Sequence, residues 1–356
     1  MADQLRRPVP GGIGTYVRGL MAGLRTAGPE EVNLILWTGR ARGGPRRDPL
    51  AVFDRVAASR LPGPALTRLW DRGLVRPPAG ADVVHATSLA VPPSGPAPMT
   101  VMVHDLAWRH QPDAYPRRGR EWHEAALERA RNRAALVMTP SAETAADLAA
   151  AGFASDRVAV VEEGSDHLDP PDGEGADALL ARLGVRAGGC YLLTVSTLEP
   201  RKNLPRLLAA HALALPRLPE PWPLVVVGPA GWGPALPPRP SVLLAGPVDG
   251  GVLSALYCGA RVVAYVPLRE GWGLPAVEAM ACGRPVVATP MPSTGGAACE
   301  VPPDDVEAIA DGLVAVATDE ALRARLVAAG DRRIAGLTWK RAAARHLELW
   351  RGLTTG

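Results

Sequence analysis

Short runs that are apolar at nearly every position alternate along this chain with stretches in which apolar residues recur every three or four positions. VNLILW (32–37), DVVHA (82–86), MTVMV (99–103), ALVMT (135–139) and RVAVV (157–161) predict strands in the first half. CYLLTV (190–195), PLVVVG (223–228), SVLLA (241–245), RVVAYV (261–266) and RPVVAT (284–289) predict strands in the second. A strand with two apolar faces suits a parallel sheet covered by helices on both sides. Helical periodicity fills 119–133, 141–151, 203–213, 250–258, 275–282, 304–317 and 338–352. The alternation predicts an α/β protein.

The pattern breaks at DHLDPPDGEGAD (166–177), which is rich in Pro, Gly and acid and reads as a linker. Two Rossmann-like halves are expected, residues 1–170 and the part that follows, enclosing a cleft with ligands at the carboxyl ends of the strands. The opening MADQLRRPVPGGIG reaches its glycines without the apolar strand that normally feeds them. Either that strand lies upstream or the first sheet lacks it.

Composition narrows the function. The chain has 356 residues, 47% of them hydrophobic, which favours two domains over one. A net charge of +3 is too small to argue for a nucleic-acid partner. Lys occurs only as Lys202 and Lys340 among 39 basic residues, so each Lys stands out. The stretch Arg40–Arg76 holds nine Arg (40, 42, 46, 47, 55, 60, 68, 72, 76) against Asp48, Asp54 and Asp71. It reads either as a solvated surface or as a face for an anionic membrane or a phosphorylated acceptor. Cys190, Cys258, Cys282 and Cys299 form no C-x-x-C pair and point to free thiols. No apolar run approaches the roughly 18 residues of a membrane span, and no charged-then-apolar leader opens the chain. The expected location is cytoplasmic, with peripheral contact at the inner face of the membrane if the basic stretch meets lipid.

Several motifs carry candidate chemistry. PGGIGTYVRGLMAGL (10–24) reads as a glycine turn entering a helix, in which Gly11, Gly12 and Gly14 let a ligand approach the backbone. In STLEPRKNLPRLLAAH (196–211), Arg201 and Lys202 lie in a strand-to-helix loop where cations can grip a diphosphate. REGWGLPAVEAM (269–280) repeats that geometry, with Glu270 and Glu278 flanking Gly271, Trp272, Gly273 and Leu274. Helix N–H groups there suit an anion, and the two carboxylates suit sugar hydroxyls. His104, at a strand end in TVMVHDLAW, can bond a hydroxyl or move a proton, and His85 is a weaker candidate. His110, His123, His167, His211 and His346 read as structural or surface residues. No metal-ligand cluster stands out.

Together GGIGTYVRGL, VHDLAW, ALVMTPSAETAADLAAAGF, RVAVVEEGSDH, STLEPRKNLPRLLAAH, VVVGPAGWG and EGWGLPAVEAMACGRPVVAT resemble the retaining glycosyltransferases of GT-B fold with an E-x7-E motif. The resemblance runs in family order over nearly the whole chain. It implies two Rossmann-like domains facing each other across a cleft: an acceptor domain at 1–170, a nucleotide-sugar domain at 171–337, and a last helix at 338–356 crossing back. It implies a GDP- or UDP-linked donor, a glycan or lipid-linked acceptor, a mannose-like sugar and no further cofactor. Arg201 and Lys202 would hold the diphosphate, Glu278 the ribose and Glu270 the transferred sugar. Backbone N–H groups of Trp272–Leu274 would assist, Gly12 and Gly14 would approach the diphosphate, and His104 would contact the sugar. The acidic residue that the family often carries after PVVAT is replaced by Ser293 and Thr294. An epimerase or phosphorylase of the same architecture, and a nucleotide-sugar binder without transferase activity, are the competing readings.

Overall fold

The computed structural model describes residues 1–7, 9–28, 32–40, 48, 50 and 55–354. They divide into two compact units, Met1–Gly164 with Thr338–Gly356, and Ser165–Leu337. The division at Gly164/Ser165 lies six residues before the boundary expected at 170.

The first unit contains α1 (Gly11–Ala27), β1 (Leu36–Arg40), β2 (Val56–Pro62), α2 (Gly63–Asp71), β3 (Val84–Ala86) and β4 (Met99–Met102). Then come α3 (Ala107–His110), α4 (Arg117–Arg133), β5 (Leu136–Thr139), α5 (Ala142–Ala150) and β6 (Val158–Val160). Strands β3-β4-β5-β6 form one parallel sheet, and β1-β2 form a separate parallel pair. Among the described residues no strand precedes α1; Asp3–Arg6 is a 3-10 turn. Ala2 N–H donates to the Trp37 carbonyl of β1 at 2.8 Å, and the Met1 nitrogen donates to the His85 carbonyl of β3 at 2.8 Å. Of the basic stretch, Arg42, Arg46, Arg47 and Asp54 lie outside the described residues. Asp48 pairs with Arg6, and Asp71 with Arg129.

The second unit contains α6 (Gly173–Arg182), β7 (Leu192–Val195), α7 (Leu204–Ala214), β8 (Leu224–Val227), β9 (Val242–Gly246) and α8 (Gly250–Gly259). It continues through β10 (Val262–Tyr265), α9 (Leu274–Ala281), β11 (Val286–Ala288), β12 (Cys299–Glu300), α10 (Val306–Thr318) and α11 (Glu320–Ile334). Its six strands are parallel in the order β12-β11-β10-β7-β8-β9. Alternate side chains feed two cores: Leu193, Val225 and Val263 pack with α8 and α9, while Leu192, Val226 and Val262 pack with α7 and α10. That is why these strands are apolar at consecutive positions. The expected linker 166–177 is corrected here. Asp172 caps α6 through its bond from Gly175 N–H, so a turn-rich composition conceals a helix start.

The last helix, α12 (Trp339–Thr354), belongs to the first unit and packs on α1. The contact depends on two glycines. A Cβ on Gly19 would lie 2.1 Å from the Trp339 ring, and one on Gly23 would lie 2.1 Å from the Trp339 carbonyl. Tyr16 of α1 joins His346 and His85 through its hydroxyl, at 2.8 Å each, and His85 reaches Thr100 at 2.8 Å. His346 thus has a buried constellation that its sequence context did not suggest. No described helix is long and apolar enough to cross a membrane.

Candidate functional site

In the second unit the strand order reverses between β7 and β10. Crossovers leave these neighbours in opposite directions, and ligands of such sheets bind outside the carboxyl ends of the strands at this switch point. Arg201 and Lys202 follow β7 in the 3-10 turn Pro200–Lys202, and Glu270 follows β10. Asn203 ends that turn at φ 59°, a left-handed conformation that Asn tolerates better than most residues. Its amide donates to the Val266 carbonyl at 3.0 Å, and Leu268 N–H donates to the Arg201 carbonyl at 2.9 Å. The two loops are thereby stitched together.

Lys202 Nζ donates to Glu270 Oε1 at 2.6 Å and to the Tyr265 hydroxyl at 2.8 Å. Arg201 reaches Glu270 Oε1 at 3.1 Å through one terminal nitrogen, and its Nε meets Glu199 Oε1 at 2.6 Å. All four charged side chains are mostly buried, Glu199 at 4% and Arg201 at 19% exposure. Burial lowers the Lys202 pKa, helped by Arg201 and opposed by Glu270. Burial pushes Glu270 the other way, but Lys202 and then Arg201 outweigh it and hold the carboxyl below the usual range. Glu199, more weakly compensated, is raised by burial. The sequence singled out three of these residues; Glu199 and Tyr265 it passed over.

The turn before α9 is buried from Gly271 through Leu274. Gly273 sits at φ 106°, and a Cβ there would lie 2.3 Å from Met291 Sδ. Ser293 closes over it, donating its hydroxyl to the Gly273 carbonyl at 3.0 Å. Thr294 donates to the Met291 carbonyl at 2.9 Å, so both hydroxyls serve the loop itself. Glu278 is the fifth residue of α9. Its Oε2 accepts from the Tyr257 hydroxyl at 2.7 Å, and its Oε1 lies 2.8 Å from His167 Nε2. The reading of His167 as a surface or structural residue without a constellation is corrected by that contact.

In the first unit, Gly11, Gly12 and Gly14 form the first turn of α1 rather than a loop ahead of it. Gly14 N–H bonds the Pro10 carbonyl at 3.1 Å, and a Cβ there would lie 2.4 Å from Pro10. Gly14 is therefore a packing glycine, while Gly11 and Gly12 are exposed at the helix start. His104 Nδ1 lies 3.1 Å from Glu163 Oε1, and its Nε2 lies 3.0 Å from the Thr87 carbonyl. The Thr87 carbonyl only accepts, so Nε2 is the donor to it. Burial alone would lower this imidazole's pKa, but the Glu163 and Thr87 bonds prevail and raise it. Asp105 accepts from Ala107 N–H and holds the turn that follows.

Two family models match the chain: "Glycosyltransferase Family 4" over residues 10–167 and "Glycosyl transferases group 1" over 189–319. O-antigen chain mannosyltransferase B of Escherichia coli is 27% identical over 263 residues, covering 70% of this chain and 68% of that protein. D-inositol 3-phosphate glycosyltransferase of Xylanimonas cellulosilytica is 34% identical over 222 residues, 55% of this chain and 51% of that protein. The chain spans about half the length of the inositol-phosphate enzymes it matches. Anabaena HepE, solved with UDP and glucose, superposes with a TM-score of 0.69 at 17% identity over 98% of both chains. Sucrose-phosphate synthase of Thermosynechococcus elongatus gives 0.68 at 20% identity over 97% of this chain and 94% of that one. At these identities the structural likeness establishes the fold, which is of GT-B type. The chain belongs to the glycosyltransferases of group 1 and family 4.

Proposed function

We propose that this protein transfers a sugar from a nucleoside-diphosphate donor to a glycan or lipid-linked acceptor, with retention at the anomeric carbon. The observation that carries the reading is the meeting of Arg201, Lys202 and Glu270 at the switch point of the second unit's sheet. Breaking the anomeric C–O bond leaves negative charge on a departing diphosphate and positive charge on the sugar. Fixed cations aimed at the leaving group stabilise that separation, because they need no reorganisation as the charge develops. Lys202 has three N–H donors, and Glu270 and Tyr265 engage two of them. The third is assigned to a phosphate oxygen.

Glu270 holds the two cations in place and accepts from hydroxyls of the transferred sugar, while Glu278 accepts from the ribose diol. The N–H groups of Trp272–Leu274, at the start of α9, meet sugar and phosphate. Departure and attack on one face of the sugar account for retention without a protein nucleophile. A mannose-like sugar is favoured by similarity to the O-antigen chain mannosyltransferase. Both GDP and UDP are candidate nucleotides. The basic stretch between Arg40 and Arg76 is assigned to an anionic or membrane-borne acceptor.

The test begins with thermal shift against GDP-mannose, UDP-glucose, UDP-N-acetylglucosamine and the free diphosphates. A true donor raises Tm by mass action. Donor turnover is then followed in the parent and in Lys202→Ala and Glu270→Gln, and the product's anomer is read by NMR. Full turnover in both variants would reject the site. An inverted product would reject the mechanism.

A further inference from the structure

We infer that His167 and Tyr257 are positioning residues for Glu278, clamping its carboxylate from both sides so that it meets the donor ribose in a single orientation. The inference rests on the reading of Glu278 as the ribose contact. It adds what aims that contact.

Glu278 is 7% exposed. A carboxylate carries about four lone-pair positions. Here one oxygen takes the Tyr257 hydroxyl at 2.7 Å and the other faces His167 Nε2 at 2.8 Å. Bonds to opposite oxygens stop the group rotating about its last torsion and leave acceptor capacity on each oxygen for a diol. Burial, and next the charge of Glu278, push the Tyr257 phenol well above its ordinary range, so it keeps its proton and stays a donor. Binding a ribose then need not order this side chain, so the entropy cost of immobilising Glu278 falls on folding rather than on binding.

The clamp has its own scaffold. His167 lies on a strap, residues 165–172, that is fixed at both ends. Ser165 bonds the Leu337 carbonyl through N–H and hydroxyl at 2.9 and 3.0 Å, and Asp172 N–H bonds the Gly251 carbonyl at 2.9 Å. Gly251 belongs to α8, the helix that carries Tyr257. The strap reaches the first turn of α8 because that turn starts with two glycines. A Cβ on Gly250 would lie 1.9 Å from Asp169 Oδ2, and one on Gly251 would lie 3.1 Å from the Pro170 carbonyl. Strap, α8 and α9 therefore fix three side chains that are distant in sequence.

The experiment is a double-mutant cycle on donor kinetics, using GDP-mannose or UDP-glucose, whichever the parent turns over. His167→Ala is expected to raise donor KM about tenfold with kcat changed less than about twofold, the signature of lost uniform binding. Tyr257→Phe should act the same way. His167→Gln, which keeps a donor at a similar reach, should recover KM to within about threefold of the parent. In a Glu278→Gln background, His167→Ala should add less than about twofold, because both act through one carboxylate. Full additivity in that background, or an unchanged KM in His167→Ala and Tyr257→Phe, overturns the clamp while Glu278 keeps its role. An unchanged donor KM in Glu278→Gln itself overturns the ribose assignment, and the clamp falls with it. Thermal melts of every variant separate these results from unfolding: a KM change that follows Tm and is not recovered by His167→Gln counts against positioning.

Discussion

Lys202→Met separates catalysis from stability more cleanly than any other change at the site. Methionine keeps much of the length and the apolar stem but removes the charge and the donors to Glu270 and Tyr265. For the reaction, loss of one fixed cation from a leaving diphosphate should resemble loss of an oxyanion-hole donor, about 10²–10³ in kcat or roughly 3–4 kcal/mol. A unit-charge pair 4 Å apart at an effective dielectric of 20 gives a similar figure of about 4 kcal/mol.

For stability, two effects oppose each other. The Lys202 pKa is lowered, chiefly by burial, so folding disfavours its charged form and Met relieves that cost. Glu270 is held below its ordinary range by Lys202 first and Arg201 second, against burial. A depressed carboxyl pKa contributes stability above the unfolded pKa, and losing Lys202 removes part of it. Arg201 remains to hold Glu270. The net change should be about 2 kcal/mol or less, well under the 3–5 kcal/mol typical of an abandoned buried charge. Urea unfolding at constant m-value reports the second number, and release of nucleoside diphosphate the first. Activity within about threefold of the parent would refute the role of Lys202. A stability loss large enough to unfold the variant at the assay temperature would refute the cancellation.

Other parts of the molecule give equally specific outcomes. Burial lowers the His346 pKa to about 4, well below the ordinary histidine range. A group depressed in this way contributes stability above its unfolded pKa and loses it as pH falls toward the folded value, by about 3 kcal/mol over the whole shift. His346→Gln should flatten urea-unfolding stability between pH 6.5 and 4, and an unchanged slope would contradict the assignment. Gly19→Ala forces a methyl group into the Trp339 ring and should cost about 1–3 kcal/mol, read as a lower Tm, because the ring is held on both sides by α1 and Gly164. Raising Tm instead would show that α12 shifts freely on α1.

Nine of the ten expected apolar runs coincide with a strand to within a few residues, and the tenth, VNLILW, meets β1 (Leu36–Arg40) only at Leu36 and Trp37. Strands buried on both faces, such as β4, β5, β8 and β10, announce themselves through consecutive hydrophobic residues. Two strands escaped. In β2, ASR interrupts the apolar residues, and β12 is only two residues long. The helix α6 escaped because its capping Asp172 sits among prolines and glycines that also mark loops. Arg201, Lys202 and Glu270 could be singled out because each lies beside a turn at a strand end, where local chemistry limits what a residue is for, and Glu278 because it flanks the glycine turn opposite Glu270. Their partners were not. Glu278 meets His167 across 111 positions of sequence, and Lys202 meets Tyr265 across 63. Periodicity is written by residues a few places apart, so the sequence alone marks most of the segments that become strands and helices. Which side chains face one another depends on the order in which those strands lie side by side, and only the folded sheet decides that.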